Sequence, residues 1–432
     1  MNWLLFVTVT LMGIYNYFRC KRVFLHPSVI ACAMFSVSTL LMAMNEDKWK
    51  WEVSFNTFAY LTVALMMFSI AVGIGEHTYL SKHRVKRTSY WLYRDVSFSQ
   101  LTTIILSIIC LAVSFLYFRH QYTASVALGN SFGVPGMISV LRQALVVEPD
   151  AEVLQIGTVL NLGISFVKAV GLVCLYLIVY KLFNKEKGWH WYIIPVLCLI
   201  INIILATGRG GFISIVAAIV FDIYIVGKQN QDKKINKEII RYSAILVAVF
   251  IPVFFILGSL TGKNEALNFN DTISIYLGSS ILCFDYFLNH GWRTPSFFGF
   301  NTFRGLYGMI GRFIGGLPAQ SNHSDMVRWQ EYSSNVYTTF APYVMDFGII
   351  GSFIIIIFVG VFFGYMWRLF LKQKTITFYS VVYGGLLGYA LSMFPIAERL
   401  LSNYIALNVI AQLLFIYILL KYFVKKEKVK LQ

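Results

Sequence analysis

Apolar residues run through this chain in long blocks rather than at short alternating intervals, and brief clusters of lysine, arginine, glycine and proline punctuate them. The blocks lie at 2–18, 24–44, 54–74, 100–118, 153–180, 191–206, 212–226, 242–260, 338–366, 376–394 and 404–420. A helix rises about 1.5 Å per residue and a bilayer core is about 30 Å thick, so each block predicts one crossing helix. The expected organisation is eight spans within 1–260, a long outer segment over 261–337, and three spans within 338–432 followed by a basic tail. Met1-Asn2-Trp3-Leu4-Leu5 enters apolar sequence with no basic segment or small-residue cleavage site, which predicts a first span rather than a signal peptide. Within the outer segment, Ile273 to Leu288 is apolar but short and carries Asp285, so it is expected to be interfacial or re-entrant. A true span there would invert the topology downstream.

One interruption stands out. Leu205-Ala206-Thr207-Gly208-Arg209-Gly210-Gly211 separates two runs of about 15 residues, each roughly 22 Å as helix and barely able to cross. A short hairpin of this kind keeps Arg209 near one membrane face, where an unpaired guanidinium is costly and usually marks function. Gly210 and Gly211 leave the backbone N–H groups of the next helix uncovered. Those donors, the positive end of the helix dipole and the fixed cation together suit a phosphate. The competing reading is an arginine reaching to lipid headgroups beside an ordinary glycine turn.

Composition narrows the class. With 58% apolar and 13% charged residues, 432 residues make an all-α polytopic membrane protein, since a soluble core could not hide this much apolar surface. The net charge of +16 would suggest nucleic acid in a soluble chain, but here it sorts by membrane side. With the lysine-rich tail inside, 24 of the 36 basic residues fall on inner loops, so the excess is a topology signal and no nucleic-acid partner is expected. The outer loops differ in kind: eight arginines (Arg119, Arg142, Arg209, Arg293, Arg304, Arg312, Arg328 and Arg399) against three lysines. Arginine offers a planar fork for phosphate or carboxylate, so an anionic ligand is expected outside. The six cysteines are scattered without a CxxC pair, which predicts neither a disulfide framework nor a metal site.

Other candidate groups follow from position. The outer stretch Asn289 to Asn335 sets Arg293, Arg304, Arg312 and Arg328 among glycines and aromatic residues, a composition suited to sugar rings or to an interface. Gln155, Thr158, Asn161, Ser165 and Lys168 are expected on one face of the 153–180 helix, turned from lipid. That stripe reads first as hydrogen bonding between helices, whereas Lys168 could equally line a path to the site. Asn335, Tyr337 and Asp346 lead from the outer segment into the next span, and Glu398 and Arg399 sit side by side in a short outer turn.

Taken together, the Ala-Thr-Gly-Arg-Gly-Gly break, the arginine-bearing outer segment and the Asn-x-Tyr…Asp-Phe-Gly-Ile-Ile-Gly entry resemble Wzy-type O-antigen polymerases, relatives of the O-antigen ligases. The likeness runs from about Trp191 to Asn403, and Arg304 followed by ten residues and Gly315 fits a spacing of such polymerases. It implies a GT-C-type glycosyltransferase bundle of about 11 helices in a bacterial inner membrane, with a large periplasmic loop and no metal or cofactor. Its substrates, donor and acceptor alike, would be undecaprenyl-diphosphate-linked oligosaccharides, and a chain-length-regulating co-polymerase is a possible partner. On that reading Arg209 and Arg304 stabilise the departing diphosphate. Gly210, Gly211, Arg293, Arg312, Arg328, Asn335, Tyr337, Arg399 and Lys168 would help bind diphosphate or sugar, and the proton acceptor falls among Glu398, Asp325, Glu331, His323 and Asp346. Related ligases carry a histidine where this chain has Ser334, which favours polymerase over ligase. A flippase for lipid-linked sugars is the rival from another class, but it predicts internal repeats that are not evident.

Overall fold

The computed structural model describes residues 1–82, 91–147, 152–207, 210–229, 241, 269–291, 297–311, 314, 326–373 and 376–430. Among them the helices run α1 (Asn2–Arg19), α2 (Pro27–Met44), α3 (Glu46–Trp49), α4 (Phe55–Lys82), α5 (Gln100–Ala127), α6 (Val134–Val147), α7 (Thr158–Phe183), α8 (Ile193–Leu205) and α9 (Gly210–Gln229). They continue as α10 (Phe269–His290), α11 (Arg304–Ile310), α12 (Ala341–Lys372), α13 (Phe378–Val382), α14 (Gly388–Ser392), α15 (Leu401–Tyr404) and α16 (Leu407–Ile418). Short strands β1 (Trp91–Ser97), β2 (Val327–Trp329), β3 (Tyr332–Ser334) and β4 (Lys425–Lys430) form two antiparallel pairs, β1 with β4 and β2 with β3. The chain is thus an all-α multi-pass membrane protein with minor strands. Among the described residues six helices are long and apolar enough to cross a membrane, namely α2, α4, α5, α7, α9 and α12, and shorter apolar helical runs occupy Trp189–Leu205 and Leu407–Phe423. The expected 242–260 span lies outside the described residues. The expected 376–394 span passes through a π turn at Tyr383–Leu387, between α13 and α14.

Contacts divide the chain into two compact units. The first comprises Met1–Arg84, Leu267–Leu369 and Ala390–Ala406. Its framework is a seam between α4 and α12 where backbones touch. A Cβ on Gly75 would strike the Val361 carbonyl, one on Gly364 the Val72 carbonyl, and one on Gly360 would lie 2.6 Å from the Ala71 Cβ. Small residues allow this approach in membranes, where packing rather than water drives association. At the end bearing Arg19, Glu76 of α4 pairs with His26 Nε2 at 3.4 Å and with Arg368 Nε at 3.2 Å, which fastens α4 to α2 and α12.

At the opposite end of this unit α10 packs on α2 and on the segment that leads into α4. Its first turn pairs Asp271 with Lys48, and fourteen residues later Asp285 accepts hydrogen bonds from Trp51 Nε1 (2.9 Å) and from the Ser54 backbone (2.9 Å) and hydroxyl (2.6 Å). Both ends of the helix are therefore tied to the 48–54 segment. The β2–β3 hairpin packs on it: Ser279 Oγ donates to Ser334 Oγ at 2.8 Å, and Tyr337 meets Phe287 at 4.8 Å between ring centroids. Downstream, α12 carries a break at Gly348 (φ 66°, ψ −177°), a backbone conformation that only glycine adopts without strain.

The second unit comprises Val85–Ala266, Phe370–Tyr389 and Leu407–Gln432. Here α7 is the axis, packed against α5, α8, α9 and α16 and buried almost continuously from Ile164 to Tyr180. The expected polar stripe is corrected in two respects. Gln155 precedes the helix, which starts at Thr158, and Ser165 Oγ donates within α7 to the Asn161 carbonyl at 3.0 Å instead of to a neighbour. Strands β1 and β4 run antiparallel with Trp91 opposite Lys430, so residues 91–97 and the basic C-terminal strand lie at the same end, as the charge sorting expects.

Candidate functional site

The first unit brings two of the outer arginines together. Arg304 opens α11, and Gly305 beside it fits against α15 so closely that a Cβ would lie 2.7 Å from the Ser402 carbonyl and 2.8 Å from that of Ile405. This contact sets Arg304 next to the 398–402 turn, which carries Arg399. Burial pulls the Arg304 guanidinium below its ordinary value, the neighbouring Arg399 charge pulls the same way, and Asp346 and Glu398 oppose them. Arg304 Nε is buried with no hydrogen-bond acceptor among the described residues. Two guanidiniums held side by side in a half-buried position repel each other, and an anion between them relieves both repulsion and desolvation.

The two carboxylates beside them are already engaged. Glu398 Oε1 accepts the Leu400 and Leu401 N–H groups, both at 2.8 Å, and the Tyr343 hydroxyl at 3.1 Å, while Oε2 accepts the Ser402 N–H at 2.6 Å. It caps the first turn of α15 and fixes the backbone from which Arg399 projects. Asp346 does the same for Arg304: its Oδ1 takes the Asn301 N–H at 3.3 Å and side-chain amide at 2.9 Å, and Oδ2 takes the Thr302 N–H at 2.6 Å. Glu398 and Asp346 thus act here as anchors of the two arginine-bearing loops, a geometry that apposition in the sequence does not disclose. Tyr343, absent from the sequence candidates, joins the network from α12.

In the second unit the glycine turn is held by side chains that the sequence did not single out. Thr207 is left-handed (φ 56°). The Leu205 carbonyl accepts Gln121 Nε2 at 3.0 Å, and the Thr207 carbonyl accepts Arg142 Nη1 at 2.9 Å. A Cβ on Gly210 would lie 2.6 Å from the Tyr389 hydroxyl, and one on Gly211 2.6 Å from Ile203 Cγ2. The two glycines are required by the tight return of α9 against α8 and Tyr389. Gln121, Arg142 and Tyr389 pin the segment that leads into Arg209.

The remaining candidates scatter. Arg209, Arg293, Arg312, His323 and Asp325 lie outside the described residues. Arg328 and Glu331 are exposed on the β2–β3 hairpin and Asn335 is exposed beyond it, whereas Tyr337 is buried against Phe287. Tyr337 supports the fold of the outer segment rather than presenting a ring to a ligand. Lys168 sits within α7, with no ion pair found for it among the described residues. No group of three His, Cys, Asp or Glu side chains among those residues is placed to hold a metal.

Comparison with known proteins adds one relative. The chain is 23% identical over 335 residues to an O-antigen polymerase of Shigella dysenteriae, an alignment spanning 76% of this chain and 72% of that protein. No protein-family model matches the chain, and no solved structure matches it. The motif resemblance and the alignment agree: over three quarters of its length this membrane chain is similar to an O-antigen polymerase.

Proposed function

We propose that the protein polymerises polyprenyl-diphosphate-linked oligosaccharide repeat units on the outer face of the cytoplasmic membrane, in an eleven-span bundle of the GT-C type. The anomeric C–O bond of the donor breaks and its electron pair passes to the departing diphosphate. A hydroxyl of the acceptor saccharide forms the new C–O bond and gives up its proton to a base. The observation that carries this reading is the apposition of Arg304 and Arg399 with their carboxylate neighbours already occupied. Guanidinium donors held in place where negative charge develops stabilise the transition state more than the ground state.

The family resemblance adds Arg209, Arg293 and Arg312 as further candidates for binding diphosphate, and Lys168 as a candidate for binding substrate. Because the Glu398 and Asp346 oxygens hold backbone, the proton acceptor is assigned to the group Asp325, Glu331 and His323. The similarity to the Shigella O-antigen polymerase supports a polymerising role.

A deletion strain complemented with each variant tests the reading by gel profiling of surface polysaccharide. Arg304→Ala, Arg399→Ala and Arg209→Ala are each expected to abolish long chains while single lipid-linked units persist. Long chains surviving in all three would sink the diphosphate assignment, and loss of single-unit export would indicate a flippase instead.

A further inference from the structure

We propose that the outer end of the first unit carries a saccharide-binding shelf made by Trp51, Tyr286 and His290, which holds the sugar portion of the acceptor; this rests on the polymerase reading above. The rings form two layers. Behind lie Trp49, Trp329 and Tyr332, only 2%, 6% and 5% exposed, with Trp49 edge to face on Trp329 and Tyr332 tilted against it as ordinary core. In front, Trp51 and Tyr286 are half-buried and His290 is exposed. Trp51 stands edge-on to Trp329 (6.3 Å, 88°) and to Tyr286 (6.2 Å, 61°), and Tyr286 stacks on His290 at 4.3 Å.

The front layer is locked. Asp285 fixes the Trp51 indole through Nε1, the His290 Nδ1 lies 2.8 Å from the Tyr286 carbonyl, and Asn289 donates to the Asp285 carbonyl at 2.9 Å and to Ser54 Oγ at 3.1 Å. Rings held this firmly while left partly open lose little freedom on binding, the condition under which stacking yields affinity. The C–H groups on one face of a sugar carry partial positive charge, which suits the negative face of an indole or phenol, while its hydroxyls need polar groups at the rim. Exposed Asn289 keeps its Oδ1 and exposed His290 its Nε2 for hydroxyls at that rim. Glu52, the exposed carboxylate at its edge, is paired with the Met1 ammonium, so the shelf offers a phosphate no net cation and favours a neutral polyol, which complements the Arg304–Arg399 site.

The shelf is tested with the purified full-length protein and the free repeat-unit oligosaccharide released by mild acid from the polysaccharide of the source strain. Saturation-transfer NMR is expected to show sugar C–H protons against protein aromatics. Trp51→Leu with Tyr286→Leu is expected to weaken binding about tenfold, the loss of a stacking contact of about 1.4 kcal/mol. The KM for acceptor rises accordingly, with kcat changing less than about twofold. Trp51→Phe, which keeps a ring and the fold, is expected to bind within about threefold of wild type and so shows whether a loss in the double variant reflects the rings or misfolding. Equal binding by the folded double variant and the wild type, or no transfer to the sugar in wild-type protein that makes polymer, overturns the shelf. Ring-dependent binding in a protein that makes no polymer keeps the shelf and removes the polymerase reading instead.

Discussion

Arg304 shows how a side chain can be costly to the fold and still be retained by it. Burial and the Arg399 charge both lower its affinity for a proton, so the folded state holds this cation less comfortably than water does. The sign is therefore that removing the charge relieves the fold: Arg304→Ala is expected to leave the thermal midpoint unchanged or to raise it while polymer disappears. A melting curve shifted clearly downwards would mean that Arg304 is a structural ion and not a ligand seat. Glu398 has the opposite character. Three backbone donors and a tyrosine depend on it, so Glu398→Ala leaves several buried groups unpaired and is expected to cost on the order of 3 kcal/mol. Glu398→Gln retains an acceptor oxygen and should recover much of that stability together with polymer formation, an outcome that a proton-accepting role would not allow.

Among the elements, the α4–α12 seam depends most sharply on single atoms. At Gly364 a Cβ collides with the Val72 backbone, which cannot rotate away, so Gly364→Leu is expected to separate the helices and destabilise the unit by more than about 2 kcal/mol. Fluorescence-detected size exclusion would show it as loss of the monodisperse peak, whereas Gly73→Ala, at a position with open space around it, serves as control. Hydropathy made the helices themselves legible, because long apolar blocks in a bilayer have few alternatives to helix. It missed what individual polar side chains do once folded. Glu398 and Arg399 read only as an acid and a base side by side, and the turn of chain over 400–402 reveals the carboxylate as a cap. Gln121, Arg142 and Tyr389 had no visible relation to a turn 65 or more positions away in the chain for the first two and some 180 for the third.

For the molecule as a whole, the relations between distant segments decide stability. Glu76 draws α2, α4 and α12 together through His26 and Arg368. Burial disfavours the His26 cation, but hydrogen bonds to Cys20 and Glu76 outweigh it and raise the imidazole above its ordinary value near 6.5. A raised value in the folded state means stabilisation that is complete below the ordinary value and lost as pH rises through the folded one. Melting of the detergent-solubilised protein is thus expected to decline as pH rises above the ordinary imidazole value of about 6.5, and His26→Gln to flatten that slope; a parallel decline in the variant would assign the effect elsewhere.

The break at Gly348 has a mechanical consequence. Asp346, two residues before it, is the grip on Asn301 and Thr302, whereas the long apolar shaft lies after it. A bilayer that thickens or thins tilts the shaft, and the joint absorbs that tilt before it reaches the grip. The guanidinium-bearing loop therefore keeps its footing in membranes of differing thickness.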